Sequence, residues 1–102
     1  MRTALLLLVI ATSAAQAREV VVIQKDKSFV TPTLTVQPGD TVVFRNEDPV
    51  PHNVYSSSPG NEFNLKVQAA GAASSVKLKT EGTVSVRCAF HPGMKLTVTV
   101  KK

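Results

Sequence analysis

The sequence predicts an all-β chain, folded as a Greek-key β-sandwich of about seven or eight strands. Three observations support this prediction. Short runs of β-branched residues recur along the chain, and clusters of Pro, Gly, Asn, Asp and Ser separate them. Helical periodicity is absent after residue 17. Two segments near the C-terminus alternate strictly between apolar and polar side chains, which is typical of strands with one face on a core.

The elements follow in order from the β-branched runs and the turn residues. A first strand is predicted at residues 19–24, and a second at 29–36 is expected to be irregular or at a sheet edge because it contains Pro32. A turn at 38–40 precedes a strand at 41–46, and a Pro-rich loop at 47–51 precedes a short strand at 52–56. After a loop at 56–61, the stretch 62–73 is either a strand plus a loop or a short helix near 67–73. The remaining strands are predicted at 75–79, 83–88 and 94–100.

Residues 1–17 are predicted to be a secretory signal peptide that is cleaved after Ala17. The segment has a positive start, an apolar run over residues 4–11 and a small-x-small ending at residues 15–17. The apolar run is about half of the roughly 20 residues that a bilayer span requires, so no membrane anchor is expected after cleavage. Residues 18–102 then form one domain, and the exported chain is expected in the periplasm.

Composition narrows the class of protein further. The 102 residues include one Cys and two His, and 12 Lys+Arg against 7 Asp+Glu give a formal net charge of +5. A single Cys excludes an intramolecular disulfide and a Cys-only zinc site. Because an exported chain rarely meets nucleic acid, no nucleic-acid partner is expected, and the scattered lysines indicate a solvated surface that favours an acidic protein partner. The chain is expected to be a monomer.

The residues with metal-binding chemistry are concentrated in one segment, Cys88-Ala89-Phe90-His91-Pro92-Gly93-Met94. It joins the last two predicted strands, and the alternation in those strands places Cys88 and Met94 in phase with core residues. The only other histidine, His52, follows the Pro-rich loop. One thiolate, two imidazoles and one thioether can therefore converge on one point. A trigonal His₂Cys plane with a weak axial Met is the arrangement of blue-copper sites.

The motif C-x-x-H-P-x-M, with Pro-His-Asn-Val upstream, resembles the type 1 copper proteins, or cupredoxins. Its short spacing is most similar to that of the amicyanins, since plastocyanins and pseudoazurins usually have a longer His-to-Met gap. The resemblance implies one type 1 copper ion with His52, Cys88 and His91 as equatorial ligands and Met94 as the axial ligand. It also implies that Asn53 helps to tie the two ligand loops together. Ala89 stands where the family often has Ser or Thr, so this tie is either weaker here or made by the backbone alone.

The expected function is one-electron transport, with copper cycling between Cu(II) and Cu(I) and no enzymatic activity. His91 is expected to be the partly exposed ligand, within an apolar rim formed by Phe90, Pro92, Gly93 and the loop at 49–51. If the resemblance extends to function, the redox partners are an amine dehydrogenase and a c-type cytochrome. The alternative is a periplasmic protein that buffers or delivers copper. A zinc site and a Cys-His nucleophile are the rival interpretations, but Met is a poor zinc ligand and no third orienting group is evident.

Overall fold

The computed structural model describes residues 3–4 and 16–102, and within these residues the chain forms nine β-strands and no helix. The predicted signal peptide falls largely outside the described residues. The described part contains no helix long and apolar enough to span a membrane. The strands are β1 (Glu19–Lys25), β2 (Ser28–Phe29), β3 (Thr33–Val36), β4 (Thr41–Asn46), β5 (His52–Ser56), β6 (Phe63–Gln68), β7 (Ala73–Lys77), β8 (Gly82–Cys88) and β9 (Lys95–Val100).

The strands form two mixed sheets, which confirms the predicted all-β sandwich. One sheet has four strands in the order β2-β1-β4-β7, and the other has five in the order β3-β9-β8-β5-β6. Parallel pairing joins β1 to β4 and β3 to β9, whereas the other neighbours are antiparallel. The strands β5, β8 and β9, which flank the predicted ligands, are therefore consecutive in the five-stranded sheet.

The core is built by the period-2 alternation of these strands. In β8 and β9 the side chains of Val84, Val86, Leu96 and Val98 are all buried, and the residues between them face outward. Phe44 completes the core from the four-stranded sheet, with its ring centroid 6.1 Å from that of Phe29. The burial of such branched and aromatic side chains, at about 25 cal/mol per Å² of apolar surface, holds the two sheets together.

Three predicted elements differ from the structure. The segment 29–36 is divided between the sheets, since β2 ends at Phe29 at one edge and β3 begins at Thr33 at the edge of the other. The short helix considered near 67–73 is wrong, because β6 continues to Gln68 and a turn containing Gly71 at φ 82° leads directly into β7. The predicted strand at 75–79 begins and ends two residues earlier, at Ala73–Lys77.

Asp40 fixes the turn between β3 and β4. Its carboxylate accepts hydrogen bonds of 2.8 Å from the backbone N–H groups of Arg18 and Gln37, and the Arg18 guanidinium lies 3.5 Å away. The backbone hydrogen bonds from Arg18 and Gln37 lower the pKa of Asp40 below its ordinary value of 3.8. The turn is thus held by an ionised side chain that joins the beginning of β1 to the beginning of β4.

We expect Asp40→Asn to reduce the stability of the chain at neutral pH and to flatten its dependence on pH below 4. Since the native pKa of Asp40 is lowered, its contribution is fully present above 3.8 and is lost as the pH falls through the native pKa. Urea unfolding between pH 7 and pH 2 measures both effects. The matched control is Asp26→Asn, because Asp26 is exposed and sits at φ 54°, which Asn tolerates. Equal pH profiles for the two variants would contradict this role.

Candidate metal centre

Two adjacent strands and the loop after one of them place the sulfur and imidazole groups. His52 is the first residue of β5, Cys88 is the last of β8, and His91 lies in the loop that leads to β9. β5 and β8 pair directly, with Val54 opposite Cys88, so the beginning of one strand lies beside the end of the other. The sequence-predicted equatorial residues are therefore brought together at one end of the sandwich.

The three candidate ligand atoms form a compact triangle. Nδ1 of His52 lies 3.1 Å from Nδ1 of His91, and Sγ of Cys88 lies 3.7 Å from each of these nitrogens. A point equidistant from the three atoms lies about 2.0 Å from each, close to the roughly 2.0–2.3 Å bonds that nitrogen and sulfur donors make to a zinc ion. The triangle therefore has the size that a small first-row metal ion requires.

The fourth predicted residue, Met94, lies directly before β9 and is fully buried. Its backbone N–H donates a 2.9 Å hydrogen bond to the carbonyl of His91, which closes a tight turn and returns the chain to the sheet. A thiolate and a thioether are soft donors that favour copper, whereas structural zinc sites use Cys, His and carboxylates. The donor set therefore fits copper better than zinc.

Asp48 orients the imidazole of His52. Nε2 of His52 donates a hydrogen bond of 2.6 Å to Oδ2 of Asp48, so that the lone pair of Nδ1 points into the triangle. The same carboxylate accepts the backbone N–H groups of Asp26 at 2.6 Å and Lys27 at 3.0 Å. Both residues have φ 54° in the turn between β1 and β2. The hairpin of the four-stranded sheet is thus connected to a candidate ligand of the five-stranded sheet.

These hydrogen bonds also determine the charge of Asp48. Burial raises the pKa of Asp48, but the hydrogen bonds from His52, Lys27 and Asp26 together lower it more, so the net pKa is below 3.8. The carboxylate is therefore ionised at neutral pH and holds the proton of His52 on Nε2. A buried anion beside a coordinating imidazole also increases the basicity of its other nitrogen.

A buried polar cluster supports the loop that carries Asp48. The Oδ1 atom of Asn46 accepts the Asp48 N–H at 2.9 Å, and Nδ2 of Asn46 donates to the carbonyl of Val50 at 2.9 Å. Gln24 donates to Gln68 at 2.8 Å across the sandwich. Neither this cluster nor Asp48 is predicted from the sequence, because hydrophobic patterning assigns polar residues to the surface. The available signal was the position of Asp48 four residues before His52.

The backbone ties the two ligand segments together. The N–H of Ala89 donates to the carbonyl of Asn53 at 2.9 Å, and the N–H of Asn53 lies 3.4 Å from Sγ of Cys88. The side chain of Asn53 instead donates to Asn64 Oδ1 and to the carbonyl of Lys66 in β6. The expected side-chain tie through Asn53 is therefore wrong for this chain, and the backbone alternative is correct.

The end of the sandwich near the triangle is apolar and accessible. His52 and Cys88 are buried, whereas His91 is partly exposed, as predicted. Phe90 is 48% exposed, and most residues of the proposed rim are exposed as well: Pro49, Pro51, Pro92 and Gly93, with Val50 half-buried. One imidazole edge is thus accessible within a hydrophobic surface.

Comparison with known proteins agrees with this geometry. Residues 16–101 match the model of the family described as copper binding proteins, plastocyanin/azurin family. Amicyanin-alpha of Methylorubrum extorquens is 34% identical over 76 residues, which cover 72% of this chain and 64% of that protein. The methylamine utilization protein MauL of Methylophilus methylotrophus is 31% identical, over 74% of this chain and 45% of that protein. The chain thus spans roughly half to two thirds of these relatives.

Solved structures show the same similarity in three dimensions. The structure of an oxidized amicyanin mutant superposes with a TM-score of 0.74 and 28% identity, covering 80% of this chain and 81% of that one. The similarity in fold therefore extends over most of the chain.

Proposed function

Because this chain belongs to the plastocyanin/azurin family of copper-binding proteins, we propose that it is a small exported type 1 copper protein that carries single electrons between redox partners. The observation that supports this proposal most directly is the triangle formed by His52, Cys88 and His91. We assign these three as equatorial ligands and Met94 as the axial ligand. When bound in such a set, copper supplies a one-electron couple between Cu(II) and Cu(I).

The chain's own residues meet the structural demands of that role. A carrier exchanges electrons quickly when its ligands keep one geometry in both oxidation states. Cys88 and His52 belong to paired strands, and Asp48 restrains the ring of His52 through a buried hydrogen bond. These constraints favour a small reorganisation on electron transfer. The partly exposed His91 provides the edge through which a partner is reached.

The proposal includes location and partners. The leader-like residues 1–17 support export to the periplasm. The similarity to an amicyanin and to a methylamine utilization protein supports an amine dehydrogenase as electron donor, with a c-type cytochrome as acceptor. The apolar rim around His91 is of the kind that small transient interfaces use, below roughly 1,200 Å².

Copper buffering or delivery is the alternative function, and the composition of the chain argues against it. The chain has only two His and two Met, so it lacks the His-rich or Met-rich tracts that would favour delivery. A copper enzyme would need a second copper site with further histidines, and both histidines already belong to the triangle.

We expect the Cu(II)-loaded chain to show an intense visible absorption band and a narrow copper hyperfine splitting in electron spin resonance. Both features arise from a short, covalent bond between copper and the Cys88 thiolate. Loading purified metal-free chain with one equivalent of Cu(II) is sufficient for the measurement. A weak band with wide hyperfine splitting, as in ordinary tetragonal Cu(II) sites, would contradict the type 1 assignment.

A second experiment separates a carrier from a copper donor. The loaded chain is reduced and reoxidised repeatedly in the presence of a Cu(I) chelator, while the amplitude of the visible band is followed. A carrier keeps its band amplitude over many cycles, because its ligands retain the metal. A delivery protein loses copper to the chelator within the first cycles, and that outcome would replace the electron-carrier proposal.

A further inference from the structure

The outer face of the five-stranded sheet carries two adjacent cations, Arg87 and Lys95, beside the candidate metal centre. In β8, Cys88 faces the core, and the preceding residue, Arg87, faces outward. The strand register places Arg87 directly opposite Lys95 of β9 on one side and opposite Tyr55 of β5 on the other. We name Tyr55, Arg87 and Lys95 the basic row.

Nothing within the described residues neutralises this row. The ion pairs of residues 16–102 involve Asp40 and Asp48, and neither reaches Arg87 or Lys95. The five strands of this sheet contain no Asp or Glu, and the other outward positions of β5, β8 and β9 are Asn, Ser and Thr. Like charges directly opposite each other on neighbouring strands destabilise a sheet. The row therefore has a cost for folding that a purely structural face would avoid.

A polar groove lies along the same row. Its volume is about 300 Å³, and it is lined by Tyr55, Ser57, Ser58, Ser85 and Arg87. Hydroxyl donors around a guanidinium form a suitable environment for carboxylates, since Arg binds a carboxylate through two parallel hydrogen bonds. The groove and the row together form one face that favours anions.

The geometry points to this face as the docking surface for an acidic protein partner, with carboxylates of the partner placed on Arg87 and Lys95. Arg87 is covalently joined to Cys88, so a partner bound there lies one residue from the thiolate. The inference gives the proposed electron carrier a second contact surface, and it rests on that function for its purpose. The binding itself does not depend on copper.

The test uses a hexaglutamate peptide as the acidic probe and nuclear magnetic resonance of the ¹⁵N-labelled chain, in metal-free and Cu(I)-loaded forms. We expect the largest amide shifts around the basic row in both forms. Because the metal-free chain is included, failure of copper loading or of electron transfer leaves this test intact. Shifts spread evenly over lysines of both sheets would overturn the proposal.

Matched variants sharpen the result. We expect Arg87→Gln combined with Lys95→Gln to raise the Kd for hexaglutamate roughly three- to ten-fold at low salt. The control combines Lys25→Gln with Lys77→Gln, which removes two charges from exposed positions of the other sheet. Equal weakening in the two double variants would show an effect of net charge alone and overturn the proposal.

A final arm tests a lipid surface as the occupant. Vesicles of phosphatidylglycerol and phosphatidylcholine are sedimented with the chain at the same salt concentration. We expect no binding that depends on Arg87 and Lys95. Vesicle binding that the Arg87→Gln, Lys95→Gln variant abolishes, without a matching loss of peptide binding, would assign the face to membranes and overturn the acidic-protein proposal.

Discussion

We expect Cys88→Ser to abolish the intense visible band of the Cu(II)-loaded chain completely. The band requires a covalent copper–thiolate bond, and Cys88 is the only cysteine in the sequence. A serine hydroxyl at this position remains protonated and is a hard, weak ligand for copper. The absorption spectrum of the copper-loaded variant, recorded beside that of the unaltered chain, measures the effect.

The control for this variant must separate loss of the ligand from loss of the fold. Cys88 is buried, and the backbone N–H of Asn53 faces its sulfur at 3.4 Å, so a serine hydroxyl has a donor available. We expect the metal-free variant to fold with a cost of about 1–3 kcal/mol for the buried hydroxyl. Ala89→Ser provides a matched change on the neighbouring exposed residue and keeps the band. A blue Cys88→Ser chain would refute the ligand assignment.

The second large effect is expected from Asp48→Asn. The uncharged amide cannot accept all three donors that now point at the carboxylate, from His52, Asp26 and Lys27. One buried donor left without an acceptor costs about 1–3 kcal/mol of unfolding free energy. Loss of the partner that orients a metal-binding imidazole lowers metal affinity about 10–100-fold. Urea unfolding of the metal-free chain and competition with a Cu(I) chelator measure the two effects.

Glu47→Gln is the appropriate control, because it removes the same charge from the residue adjacent to Asp48, and Glu47 is exposed. We expect this control to change stability by less than about 0.5 kcal/mol, as is usual for surface substitutions. Equally tight Cu(I) binding by Asp48→Asn and by the control would show that Asp48 does not contribute to metal affinity. A loss of stability without a loss of Cu(I) affinity would limit the role of Asp48 to stabilising the fold.

The predictable parts of the fold are the strands in which buried apolar residues and exposed polar residues alternate along the sequence. β9, and β8 from Thr83 onward, alternate regularly, so the sequence placed Val86 and Cys88 on the core side and Arg87 outside. The division of 29–36 between two sheets could not be predicted. The first half pairs with the adjacent β1 through a tight turn, whereas the second half pairs with β9 near the end of the sequence, and Pro32 marks only an interruption between them. Strand partners are set by long-range packing, which local propensity does not encode.

The residues of the ligand loop were also predictable from local sequence, whereas the hydrogen bonds that orient them were not. Cys88 and His91 are close in the sequence, so bringing them together needs only a tight loop between neighbouring strands. The hydrogen bond from His52 to Asp48 depends on three-dimensional position. The helix considered near 67–73 failed because small residues such as Ala69 and Ala70 favour a helix locally, whereas the pairing of β6 with β5 decides the outcome.

The turn between β1 and β2 has a consequence for which sequences can build this centre. It reaches Asp48 through two backbone amides, so no side chain at positions 26 or 27 takes part in the contact. The contact with Asp48 requires a left-handed backbone at these two positions. Gly, Asn and Asp adopt this conformation readily, whereas Val and Ile do not. Substitutions among Gly, Asn and Asp at these positions are expected to leave metal binding unchanged. A β-branched residue there would impair metal binding without contacting any ligand.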